Sequence, residues 1–111
     1  METKVALAQL SALAQESRLA VFRLLMKAGH DGLPGGDNAA TLELPPNTLS
    51  AQLNILSQSG LVTGQRHGRS IIYTANFGAI SGLIIFLIED CCAGRADVCV
   101  PVLERARSAC C

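Results

Sequence analysis

Two adjacent prolines, Pro45-Pro46, restrict what this chain can fold into more than any other feature. Proline lacks the amide hydrogen that a helix interior needs, so no single helix runs through the pair. A short helix over roughly Asp37 to Leu42 ends before them. Pro46 suits the first position of the next helix, where the backbone angle it fixes is the right one and the hydrogen bond it cannot make is not required. That helix reaches about Ser59, and Gly60 stops it. Its Leu49, Leu53 and Leu56 recur at helical spacing and predict a buried stripe. The opposite side carries Asn47, Ser50, Ala51, Asn54 and Gln58, with Thr48 and Gln52 flanking.

Upstream, residues 4 to 14 read as a helix with Leu7, Leu10, Leu13 and Ala14 on one side. Ser17 to Ala28 read as a second, with Ser17 as its N-cap and Gly29 as its stop. His30 to Gly36 is turn chemistry. Downstream, Leu61 to Arg66 and Ser70 to Thr74 read as strands around a His67-Gly68-Arg69 turn. An apolar helix from Phe77 to about Asp90 and an irregular tail complete the chain. With 111 residues, half of them hydrophobic, there is room for one core. The expected class is mainly α with a β-hairpin, in the order α-α-α-α-β-β-α: a winged helix-turn-helix over residues 1–90, followed by a cysteine-rich tail over 91–111.

Val5 to Ala8 with Ser11 to Ala14 has the outline of a secretory leader, but Glu2, Gln9 and Gln15 interrupt it. The most apolar run, Ile80 to Ile88, is far short of the roughly 20 residues that span a bilayer. A cytoplasmic protein with no membrane partner is expected.

Nine cations balance nine anions, yet they are unevenly spread. No acidic residue lies between Leu44 and Ile88, whereas Arg66 and Arg69 do, so this stretch is locally positive. A short helix, a tight turn and a second helix with small polar side chains suit the major groove of double-stranded DNA. There Asn and Gln can bond adenine twice, and Ser and Thr reach bases or phosphates. Asn47, Thr48, Ser50, Gln52 and Asn54 are the candidate readers. Arg66, His67 and Arg69 at the hairpin tip are candidates for phosphate or minor-groove contact. Taken alone, the same residues equally suit a solvated helix face and an ordinary turn.

Several segments resemble the ArsR-type (ArsR/SmtB) metal-responsive repressors. They are Gln15-Glu16-Ser17-Arg18-Leu19 with Phe22-Arg23-Leu24-Leu25, Pro45 to Ser50, Leu53 to Leu56, Ser59-Gly60-Leu61-Val62, and the wing from Gln65 to Ser70 with Tyr73. The match runs in order over about residues 5 to 100. The resemblance implies a homodimer that joins through its first and last helices, Leu7 and Leu10 among them, and sets two reading helices on operator DNA. This chain departs from the family in having Gln52 where His or Arg is frequent and Asn54 where Lys is. Its reading helix therefore holds no cation, and a shallow salt dependence of DNA binding is expected.

Between Ile80 and Ile88 the large apolar residues are Ile80, Leu83, Ile84, Ile85, Phe86, Leu87 and Ile88. One face suffices for a helix on a monomer. If Ile84, Leu87 and Ile88 serve the chain's own core, Leu83, Ile85 and Phe86 point to a partner. Each is worth about 1.5–3 kcal/mol when buried.

All five cysteines lie at or beyond residue 91. Adjacent cysteines seldom bridge each other, and an odd, clustered set fits reduced cytosolic thiols better than a secreted disulfide scaffold. Thiolates select thiophilic ions. Trivalent arsenic and antimony take three sulfurs in a pyramid; Cys91 and Cys92 supply one edge, and Cys99 returns after a loop that Gly94 relaxes. Arg95 would favour the thiolates. Zinc or cadmium, and a Cys92–Cys99 disulfide switch, are the alternatives; zinc normally wants four spaced ligands. The segment also resembles the tails of arsenic-sensing members of the family, which implies a metalloid-released repressor with inorganic or methylated trivalent arsenic as inducer. Cys110 and Cys111 are further candidate ligands without a family counterpart. An enzyme is not expected: Cys99 and Arg105 mimic a Cys-x5-Arg oxyanion loop, but the residues between them hold no glycine, a proline and Glu104.

Overall fold

A computed structural model describes residues 1–89 and 96–110, with 96–99 and 110 by their backbone alone. The elements are α1 (Thr3–Leu13), α2 (Glu16–Ala28), a 3₁₀ turn (Gly29–Asp31), β1 (Leu33–Pro34), α3 (Gly35–Leu42), α4 (Pro46–Gln58), β2 (Val62–His67), β3 (Ser70–Ala75), α5 (Phe77–Ile88) and α6 (Ala96–Cys110). The expected winged helix-turn-helix order is present, with β1 and α6 added to it. β1 pairs antiparallel with β3 (Leu33 with Tyr73, Pro34 with Ile72), which makes a sheet in the order β1-β3-β2. Two residues carry no alternation to read, and the proline among them is tolerated because it lies on the sheet edge. The tail expected to be irregular is helical from Ala96 onward, with Pro101 inside the helix. Its Leu103-Glu104-Arg105-Ala106-Arg107 run consists of strong helix formers.

The core lies where α1, α2, α3 and α4 meet the sheet. Val21, Leu25, Leu56 and Leu61 are wholly buried there, joined by Phe22, Leu49, Leu53, Val62 and Ala75. The stripe Leu49, Leu53, Leu56 is buried as its spacing predicts. α2 begins one residue earlier than expected, and the Gln15 side chain, not Ser17, caps it by accepting from the Arg18 amide at 3.0 Å. Gly29 ends it with φ 70°, the conformation a glycine stop allows.

α5 corrects the expected division of its surface. Leu83, expected to face a partner, is 2% exposed within its own chain, whereas Ile84 and Leu87, assigned to the core, are 48% and 53% exposed. The phase is set at the start of the helix, where the Asn76 side chain caps by accepting from the Ala79 amide, and Phe77 and Ile80 pack on the core. Leu83 follows at the same spacing of three. Ile85 is 61% exposed and Phe86 half-buried. In α1 the buried residues are Ala6, Gln9 and Ala12, while Leu7 and Leu10 are exposed.

Candidate nucleic-acid interface

The turn between α3 and α4 is built by the backbone. At the end of α3 the Leu44 amide donates to the Ala39 carbonyl (3.1 Å) and the Glu43 amide to the Ala40 carbonyl (3.4 Å), with Glu43 in the left-handed region at φ 55°. This paired closure ends the helix and aims the chain at Pro45. Pro46 then opens α4, as its sequence position predicts. α4 closes in the same manner: the Leu61 amide donates to Leu56 (3.1 Å) and the Gly60 amide to Ser57 (3.1 Å), with Gly60 at φ 85°. Two like stops thus bracket the reading helix.

With the leucine stripe inward, α4 presents Asn47, Thr48, Ser50, Ala51, Asn54 and Gln58 as exposed residues. Ile55 joins them at 39% exposure, an apolar contact for a thymine methyl that the polar reading of this face left out. Gln52 is different: it is half-buried, and its Oε1 accepts from Arg18 Nη1 at 3.0 Å. The same guanidinium donates from Nε to the Ala12 carbonyl at 2.6 Å and from Nη2 to the Ser11 carbonyl at 3.5 Å. Arg18 therefore closes the C-terminal end of α1, where carbonyls lack partners and a cation is favoured, and holds α4 to it. Sequence reading quoted Arg18 within a motif but gave it no role, because its partner is 34 positions away.

The wing is a two-residue turn, Gly68-Arg69, with Gly68 at φ 62°; His67 belongs to β2 and pairs with Ser70 rather than forming part of the turn. Arg66, His67 and Arg69 are all exposed. The pleat separates them. Arg66 lies opposite Ile71 and next but one to Gly64, which lies opposite Tyr73, so it shares their face of the sheet; His67 lies on the other face. Between this face, the N-terminus of α3 and α4 runs a cleft of about 400 Å³ floored by Leu49, Leu53, Ile71 and Tyr73, with Ser50 and Arg69 at its edge. Tyr73 lies against Gly64 and Gly35, where a Cβ would meet its ring at 3.0 and 3.6 Å. Reading helix and basic wing thus open side by side, and neither carries a carboxylate of its own.

Of the cysteines, Cys91, Cys92 and Cys111 lie outside the described residues; Cys99 and Cys110 stand on α6. Eleven residues of helix separate the latter by about 16 Å along the axis, too far for both to bind one ion from the same chain, since metal–thiolate bonds are about 2.3 Å. Among the described residues, no three His, Cys, Asp or Glu side chains are grouped to hold a metal. His30 packs edge-on against Phe77 at 4.8 Å between ring centres. Cys99 to Arg105 is helix and not an oxyanion loop. No described helix is long and apolar enough to cross a membrane.

A family model described as a helix-turn-helix domain matches residues 13–65. The transcriptional regulator NmtR of Mycobacterium tuberculosis is 40% identical over 65 residues, 59% of this chain and 52% of that protein, so the chain spans about half the length of the curated relative it matches. HlyU from Vibrio cholerae is similar in structure with a TM-score of 0.63 at 27% identity, over 78% of this chain and 94% of its own. An ArsR-like regulator from Rhodococcus has a TM-score of 0.69 at 20% identity, over 93% and 92% of the two chains. A homodimeric winged helix-turn-helix DNA-binding domain from Mycobacterium bovis shares the fold with a TM-score of 0.63 at 24% identity, over 78% and 80%. These are regulators and not enzymes. By fold the chain is a winged helix-turn-helix protein, and in sequence and structure it is similar to transcriptional regulators of the ArsR type.

Proposed function

We propose that this chain is a dimeric transcriptional repressor that binds operator DNA and is released when trivalent arsenic or antimony binds Cys91, Cys92 and Cys99. The observation that carries the DNA half is the uncovered polar face of α4 beside Arg66 and Arg69, with no carboxylate in the segment that builds them. The kinship with NmtR supports it. A second copy covers Leu7 and Leu10 of α1 and Ile84, Ile85 and Leu87 of α5, all exposed in the single chain; the homodimeric Mycobacterium bovis domain supports that assembly. The position of Cys99 supports the sensing half. It is the fourth residue of α6, and a metalloid that joins it to the paired thiols ties the start of α6 to the segment leaving α5. Ligand and operator then weaken each other's binding by the same factor, typically 1–3 kcal/mol.

The test is fluorescence anisotropy of a labelled duplex from the gene's own upstream region, titrated with reduced protein and then with arsenite, with zinc and cadmium alongside. Binding followed by release with arsenite alone is the expected result. Release by zinc, cadmium or an oxidant instead assigns the signal to that agent. Cys99→Ser is expected to keep DNA affinity and lose the arsenite response; an unchanged response would rule out three-thiol sensing.

A further inference from the structure

We infer that α4 recognises thymine by its 5-methyl group, and that Ile55, with Ala51 one turn before it, sets this preference. The inference rests on the DNA-binding reading above and names a base feature which that reading leaves open. Ile55 is 39% exposed, although α4 already gives Leu49, Leu53 and Leu56 to the interior. Among the described residues that form the core or pack against it, Ile55 has no place. A β-branched side chain also favours a helix less than the residues that usually fill a solvated helix face. Its spacing gives it company. Ala51 stands four positions before Ile55 and Thr48 three before Ala51, all three exposed, so a strip of methyl-bearing residues runs along one flank of the polar face. Exposed Asn47 and Asn54, seven positions apart, form the polar strip beside it. The methyl-bearing strip is about 10 Å long, the length of about three base-pair steps.

The consequence follows from base chemistry. Of the four bases only thymine shows a methyl group in the major groove; the others show donors and acceptors there. An apolar side chain laid over a donor or acceptor displaces its water and returns no hydrogen bond, which costs affinity. Laid over the thymine methyl, it removes apolar surface from water on both partners. The commonest specific contact of the other kind, Arg or Lys on guanine N7 and O6, is closed to α4, which has neither residue. Discrimination by this helix therefore leans on methyl groups more than it would in a helix with cations. One methyl group buried against Ile55 is worth about fourfold in affinity.

The experiment is selection from a library of randomised duplexes by the full chain, followed by anisotropy on the selected site with deoxyuridine in place of thymidine, one position at a time. Uracil keeps the base pair and the O4 acceptor and lacks only the methyl. The titrations are run for the wild type and Ile55→Ala, with thermal melts of both. In the wild type, at least one replacement in the site is expected to weaken binding by about fourfold. At that position Ile55→Ala is expected to bind the thymine and uracil duplexes alike. The two changes form a cycle, and a merely structural role of Ile55 would lower affinity for both duplexes together without coupling to the methyl. A wild type indifferent to every replacement overturns the inference, and so does a methyl effect that persists undiminished at every position in Ile55→Ala. The wild-type scan needs no variant and stands even if Ile55→Ala does not fold. A wild type that selects no duplex at all overturns the DNA-binding reading itself, an outcome distinct from binding without dependence on the methyl.

Discussion

Glu43 and Gly60 occupy the same place in two successive helix stops, yet only one of them is a glycine. A side chain in the left-handed region costs roughly 1 kcal/mol relative to glycine. Glu43→Gly is therefore expected to raise stability by about 1 kcal/mol, and Gly60→Ala to lower it by a similar amount, since open space surrounds that Cβ and only the backbone angle opposes it. Both are measured by chemical denaturation; a destabilised Glu43→Gly would show that the Glu43 side chain contributes something its geometry does not explain. The strain also has a local readout. The Leu44 amide is expected to exchange with solvent faster than the Leu61 amide, its counterpart in the second stop. Gly32 is a harsher case, with φ 68° and a Cβ that would collide with the Tyr73 carbonyl and the Thr74 side chain. Gly32→Ala should cost about 2 kcal/mol or more and separate β1 from β3.

At the level of elements, what the sequence reveals depends on whether an element has two different sides. α4 was legible in its start and its buried stripe, because its leucines recur at helical spacing and two imino acids mark its beginning, but not in exposed Ile55 or half-buried Gln52. α5 was legible as a helix but not in its orientation. A helix apolar on every side carries no phase in its own residues, and Phe77 and Ile80 settled it through contacts the sequence does not display. β1 is too short for any period. The Arg18–Gln52 bond joins two helices across 34 positions, so only packing reveals it. The wing yields a prediction at this scale. α4 has no cation, so in the proposed complex Arg66 and Arg69 are the phosphate contacts nearest to it in the chain, and Arg69→Ala is expected to flatten the plot of log affinity against log salt by about 1 per protomer. An unchanged slope would place Arg69 away from the phosphates.

The single chain leaves Leu7, Leu10, Ile84, Ile85 and Leu87 exposed, the face that a second copy covers in the dimer proposed above. Ile85→Glu should convert a dimer into a monomer in sedimentation experiments while the helical circular dichroism signal is retained; a dimer that survives the change would place the interface on other residues. α1 has a second duty in such an assembly. It is bound to α4 twice, through Arg18 to Gln52 and through Gln9, whose Nε2 donates to the Ser59 carbonyl at 3.4 Å while its buried Oε1 has no partner. Each reading helix is then carried by the element that meets the twin chain. An eleven-residue helix is about 16 Å long, so a turn of about 10° at the dimer axis would sweep its far end, and α4 with it, through about 3 Å. That is nearly the rise from one base pair to the next, so in the proposed dimer a slight swivel of this kind would put both reading heads about one letter out of step with the operator.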